Sequence, residues 1–112
     1  MSKTPEQVVQ QQLEAYNAHD IDAFMATYSP TIQIMNFPSG AVIYTDPAVM
    51  RTDYQRYFAN GLPHAEVSKR MTNGNFVIDY EVGHDQNKGD WQAIAIYEVV
   101  DGLIQRVWFV RG

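Results

Sequence analysis

The chain has 112 residues, of which 46% are hydrophobic and 19% charged, and its 8 basic and 13 acidic side chains leave a net charge of −5. One domain, residues 1–112, is expected at this length, with a core large enough to need no staples. The absence of cysteine excludes disulfides, thiolate nucleophiles and cysteine-ligated zinc. The negative balance argues against nucleic acid and anionic membranes as partners. No apolar run reaches the roughly 20 residues of a membrane span. The opening MSKTPEQVVQQQ lacks the apolar core of a signal peptide, so a cytoplasmic location is expected.

Thr4-Pro5-Glu6-Gln7 reads as a helix start, with a capping hydroxyl, a proline at the first helical position and a capping-box glutamine. Val8, Val9, Leu13 and Tyr16 share one face of this first helix, which runs to about Asn17. Asp20 opens a short second helix that turns Ile21, Phe24, Met25 and Tyr28 inward and ends at Pro30. TIQIMNF and AVIYT alternate as two short strands. Asp46-Pro47 repeats the cap-and-proline start, opening a third helix through Met50, Tyr54, Tyr57 and Phe58 to Asn60-Gly61. Four strands follow from Ala65. Asn73-Gly74 suits a two-residue type I′ hairpin loop, and Val100-Asp101-Gly102 suits a type I turn with Gly102 left-handed. This order defines an α+β domain whose helices cover one face of a curved antiparallel sheet.

The turns imply a register, and register implies faces. With Val67 opposite Tyr80 and Met71 opposite Phe76, the inner face holds Val67, Met71, Phe76, Ile78, Tyr80 and Val82. The outer face then holds Val77, Asp79 and Glu81, with Arg70 diagonal to Asp79. With Tyr97 opposite Gln105, the residues Ala93, Ala95, Tyr97, Val99, Gln105, Val107 and Phe109 face inward. Ile94, Ile96, Ile104 and Trp108 then form an outer apolar patch, and such patches mark interfaces, here a homodimer.

The stretches EQVVQQQLEAYNAHDIDAFMATYSPTIQI, DPAVMRTDYQRYFANGLPHAEV and AIYEVVDGLIQRVWF resemble the nuclear transport factor 2-like superfamily, in its SnoaL-like and ketosteroid-isomerase-like branch. The resemblance implies a cone-shaped fold, three N-terminal helices packed on the concave face of a curved, mainly antiparallel sheet, around a deep apolar pocket. It also implies frequent dimers through the convex face. The ketosteroid isomerases carry a base aspartate where this sequence has Asn36, a protonated acid where it has Ala93, and a tyrosine nearest Gln12, with Tyr16 one turn on. An amide has no useful basicity near neutral pH, so the isomerase acids do not carry over.

Tyr16, Tyr28, Asn36, Tyr54, Phe58, Tyr80, Tyr97, Gln105 and Phe109 are the expected pocket lining. Several phenols among apolar walls suit a cyclic ligand with a carbonyl to polarise. His64 and His84 are the candidate acid/base groups. The three histidines have no metal-ligand spacing, and no nucleotide or dinucleotide motif occurs, so neither a metal nor a cofactor is expected. Two functions fit these features. One is a cofactor-independent isomerase, cyclase or hydrolase acting on a small apolar steroid-, polyketide- or terpenoid-like molecule. The other is a non-catalytic ligand-binding or dimeric scaffold domain.

Overall fold

The computed structural model describes residues 3–111. Helix α1 spans Pro5–Asn17, and its start follows from the capping box. Thr4 Oγ1 accepts from the Gln7 amide at 3.2 Å, and Gln7 Oε1 accepts from the Thr4 amide at 2.9 Å. Two orphan donors of the first turn are thereby satisfied. Helix α2, Ile21–Met25, is capped by Asp20, which accepts from the Ala23 amide. Helix α3, Pro47–Gly61, is capped by Asp46 through the Ala48 amide. Gly61 is not the left-handed residue at its end; Leu62 is, at φ 45°. The glycine answers another need, since a Cβ there would lie 2.8 Å from the Tyr57 ring.

The strands are β1 Tyr28–Asn36, β2 Val42–Tyr44, β3 His64–Asn73, β4 Phe76–Asp85, β5 Gly89–Val100 and β6 Leu103–Arg111. They form one curved sheet in the order β2-β1-β6-β5-β4-β3, antiparallel except for the parallel β1–β6 pair. The helices pack on its concave face around Phe24, Ile32, Met50, Phe58, Val77 and Tyr97. The end of α1 is tied to β3 through Asn17, which donates to the Ala65 carbonyl and accepts from its amide. Pro30, expected to end α2, instead lies within β1, where the pairing with β6 is irregular between Tyr28 and Gln33. A proline without an N–H is tolerated where no ladder bond is required of it.

The expected faces of β4 are reversed, and with them that of Met71 on β3, while a bulge between Val67 and Lys69 keeps Val67 on the concave side as expected. Val77 pairs with Tyr97, Asp79 with Ala95 and Glu81 with Ala93, so these β4 residues share the concave face of Tyr97. Asp79 and Glu81 are only 1% and 7% exposed, whereas Met71 is 63% exposed and Phe76, Tyr80 and Val82 are also exposed. The more apolar parity of β4 therefore faces outward. Burying the polar parity is tolerated because each carboxyl is compensated. Arg70, directly opposite Asp79 and not diagonal to it, binds both carboxylate oxygens at 2.7 and 2.9 Å. Glu81 is held by a tyrosine. The loop also differs: Asn73 pairs with Phe76, so Gly74-Asn75 turn the chain, with Gly74 at φ 58°.

The last hairpin turns through Asp101-Gly102, both at positive φ, with Val100 opposite Leu103 and Val99 opposite Ile104. A bulge follows, so that Glu98 faces Arg106 and Val107 faces Tyr97. The extra residue, Gln105, changes the parity. Ile104 is consequently in the core at 0% exposure rather than on the outer patch, and Gln105 is out of the interior. Its amide donates to the Thr31 carbonyl at 2.8 Å.

Candidate functional site

The concave face of β4 and β5 brings one carboxyl into the aromatic interior. Glu81 projects beside Tyr97, whose hydroxyl donates to Glu81 Oε2 at 3.1 Å. Burial pushes the Glu81 pKa up from 4.5 to about 7. The Tyr97 hydrogen bond opposes that rise, the Asp79 charge adds to it, and Arg70 and Arg111 oppose it. Glu81 Oε1 accepts no hydrogen bond from a described residue. A carboxyl with one anchored and one unpartnered oxygen, its pKa raised towards neutrality, is suited to taking and returning a proton.

The phenols around it are neutral donors. Burial pushes the Tyr16, Tyr28, Tyr54 and Tyr97 hydroxyls well above their ordinary value, and it takes Tyr44 and Tyr57 up to about 12. Tyr28 accepts from Gln12 Nε2 at 3.0 Å. Tyr16 donates to Tyr57 at 3.4 Å, and Tyr57 donates to Asp85 Oδ2 at 2.8 Å. Burial acts to raise the Asp85 pKa. The Lys88 amide, Tyr57 and the Asn87 amide outweigh it and hold the carboxyl below its usual value. Tyr54 stacks 4.8 Å from Phe24, and its hydroxyl has no partner among the described residues.

The structure therefore separates the sequence-derived candidates. Tyr16, Tyr28, Tyr54, Phe58 and Tyr97 meet inside, the first four packed around Phe24 with ring centroids 4.8 to 6.1 Å from it. Asn36 and Phe109 sit side by side on neighbouring strands towards one end of the concave face. Tyr80 is on the convex face, where its hydroxyl donates to Gln92. His64 and His84 face each other across β3 and β4, both exposed; His84 bonds Asp90 at 2.8 Å. Ile94 and Ile96 are half-buried on the convex face, and Trp108 lies beneath the Arg106 guanidinium at 5.4 Å. Sequence reasoning missed Glu81, Trp91 and Arg111. The signal for Glu81 was the pairing of β4 on β5, because Tyr97 had already been placed inside.

Two polar surface grooves open to solvent. One, of about 420 Å³, is lined by Glu6, Gln7, Gln10, Gln11, Glu14 and Arg70. The other, of about 400 Å³, is lined by Asp53, Arg56, Tyr57, Asn60 and Asn87. No cluster of three or more metal-ligating side chains occurs among the described residues.

This sheet, these helices and a concave face lined by phenols define the nuclear transport factor 2-like class. Within it the chain belongs to the SnoaL-like domain family, whose profile matches residues 9–107. None of the proteins of curated function matches in sequence. An uncharacterised cystatin-fold protein from Novosphingobium aromaticivorans superposes with a TM-score of 0.87 at 20% identity, covering 98% of this chain and 100% of its own. An NTF2-like protein of unknown function from Cytophaga hutchinsonii gives 0.83 at 16% identity, covering 100% and 93%. An LEH-like epoxide hydrolase of M. tuberculosis gives 0.82 at 16% identity, covering 95% and 80%. At these identities the likeness is one of fold.

Proposed function

We propose that residues 1–112 act as one domain that binds a small, largely apolar cyclic molecule of steroid-, polyketide- or terpenoid-like shape. The ligand sits against the concave face, and Glu81 moves a proton on it. The reaction is an isomerisation, cyclisation or hydrolysis, for which the chain's own residues supply the acid and base. Tyr54 donates a hydrogen bond to the ligand oxygen, and Tyr97 holds Glu81 in place. The observation that carries this reading is the buried Glu81 carboxyl, anchored by Tyr97 on one oxygen and without a hydrogen-bond partner among the described residues on the other. An epoxide hydrolase among the fold neighbours agrees with water or proton chemistry on this scaffold. Among the described residues no helix is long and apolar enough to cross a membrane, and a cytoplasmic location belongs to the same proposal.

The test is ligand-dependent exchange. Hits from a thermal-shift screen of steroids, cyclic enones, terpenoids and aromatic polyketide fragments are incubated in deuterated water and followed by NMR. Wild type is expected to exchange or convert an acidic C–H, and Glu81→Gln to slow this by about 100-fold or more. An unchanged rate in that variant removes Glu81 from the chemistry.

A second reading concerns the convex face, where Phe76, Ile78, Tyr80, Val82, Ile94, Ile96 and Trp108 make a contiguous apolar surface on β4, β5 and β6. We propose that two copies associate there, which would serve the enzyme or a scaffold equally. Sedimentation velocity is expected to show a dimer in wild type and a monomer in Ile96→Glu. A monomeric wild type at micromolar concentration refutes it.

A further inference from the structure

The pairing of three strands sets out a slot with two different walls. Glu81 on β4 faces Ala93 on β5, and Ala93 faces Arg111 on β6. At ordinary strand spacing the Glu81 and Arg111 backbones are about 10 Å apart, on the same side of the sheet. Ala93, with its single methyl, lies between them in the register. The next row repeats the arrangement, with Asp79, Ala95 and Phe109 in line, and Phe109 borders Asn36 on β1.

Arg111 is aimed and only partly used. Its guanidinium lies 4.8 Å over the Phe109 ring, and its Nη1 donates to Asn36 Oδ1 at 3.1 Å. Ring and amide hold the planar fork in one orientation. Asn36 takes one of its five N–H donors. Among the described residues no carboxylate lies within ion-pair distance of it. The Arg111 charge also opposes, weakly, the burial-driven rise in the Glu81 and Tyr54 pKa values.

We propose that Arg111, oriented by Asn36 and Phe109, is an anion subsite at the end of this slot, and that the ligand is a cyclic or aromatic carboxylic acid. Its carboxylate takes a forked pair of hydrogen bonds from Arg111. Its ring extends over Ala93, towards Glu81 and Tyr54. The inference rests on the proposed concave-face binding site and gives it a substrate class: an acid whose reactive C–H or carbonyl lies about one ring away from the carboxylate.

The experiment compares matched pairs, cyclohexenecarboxylic and hydroxybenzoic acids against their primary amides. Binding is measured by calorimetry to wild type, Arg111→Gln, Arg111→Lys and Glu81→Gln. Wild type is expected to bind the acids at least about tenfold more tightly than the amides. Arg111→Gln should abolish that preference, and Arg111→Lys should retain part of it. Acetate, a carboxylate without a ring, should bind far more weakly than the ring acids. Equal binding of acids and amides, acid preference surviving in Arg111→Gln, acetate matching the ring acids, or no binding of any acid each overturns the subsite. Arg111 is exposed, so its variants are expected to fold, which circular dichroism verifies. Glu81→Gln separates the two proposals. Exchange chemistry that depends on Glu81 without acid preference removes only the subsite. Acid preference alongside chemistry indifferent to Glu81 removes only the catalytic reading.

Discussion

Replacing Glu81 by glutamine should make the protein more stable in a way that depends on pH. The Glu81 carboxyl titrates near 4.5 in an unfolded chain and near 7 in the folded one. Below pH 4.5 both states are protonated and the group costs nothing. Between pH 4.5 and 7 the unfolded state ionises while the folded state keeps its proton, so stability falls by up to about 1.4 kcal/mol per pH unit. Above pH 7 both are ionised and the penalty levels off at about 3 kcal/mol. Glutamine keeps an oxygen for the Tyr97 hydroxyl and carries no charge to desolvate. The groups that bear on Glu81 are Asp79 on its own strand, Arg70, Arg111, Tyr97, Tyr28, Tyr54 and Tyr16, and all are common to both proteins. Urea unfolding of wild type and Glu81→Gln at pH 5, 6, 7 and 8 should therefore show a gap that opens with pH. By pH 8 it should approach 3 kcal/mol, or roughly 10 °C in Tm for a chain of this size. A difference that stays flat over this range would refute the assignment of a neutral buried carboxyl.

Arg70→Met should leave the buried Asp79 carboxyl without its partner and cost about 3–5 kcal/mol, with Arg70→Met/Asp79→Asn recovering most of it in urea unfolding. A single variant costing under about 1 kcal/mol would mean that water reaches Asp79. Gly83→Ala would set a Cβ 2.1 Å from the Trp91 ring. A loss of about 1–3 kcal/mol is expected, with a shift in tryptophan emission, and less in a Trp91→Leu background. An unchanged spectrum and midpoint would contradict that packing.

Local chemistry was legible in the amino-acid sequence because it is decided by residues a few positions apart. Thr4-Pro5, Asp20 and Asp46-Pro47 announce the helix starts that the structure shows, since a cap and its amide lie within three residues. The element order, two helices, two strands, a helix and four strands, follows from apolar period and turn residues in the same way. The interior positions of Tyr16, Tyr28, Tyr54 and Tyr97, with Phe58, were also readable from their spacing.

The faces were not legible. In β4 one parity is apolar and the other carries Asp79 and Glu81 among its carboxylates, and alternation alone sends these two to water. Only the pairing of Val77, Asp79 and Glu81 against Tyr97, Ala95 and Ala93 turns them inward. Arg70, nine positions before Asp79, then neutralises the one and Tyr97 anchors the other. The bulge at Gln105 carries Ile104 into the core and moves Gln105 out of it, because a single extra residue reverses a period-two pattern. Arg111 meets Asn36 from 75 positions away. Sequence by itself determined which helices and strands form and in what order, because those preferences are short-range. Tertiary structure alone decided which side of each strand is the inside, because that depends on a neighbouring strand whose register no local pattern encodes.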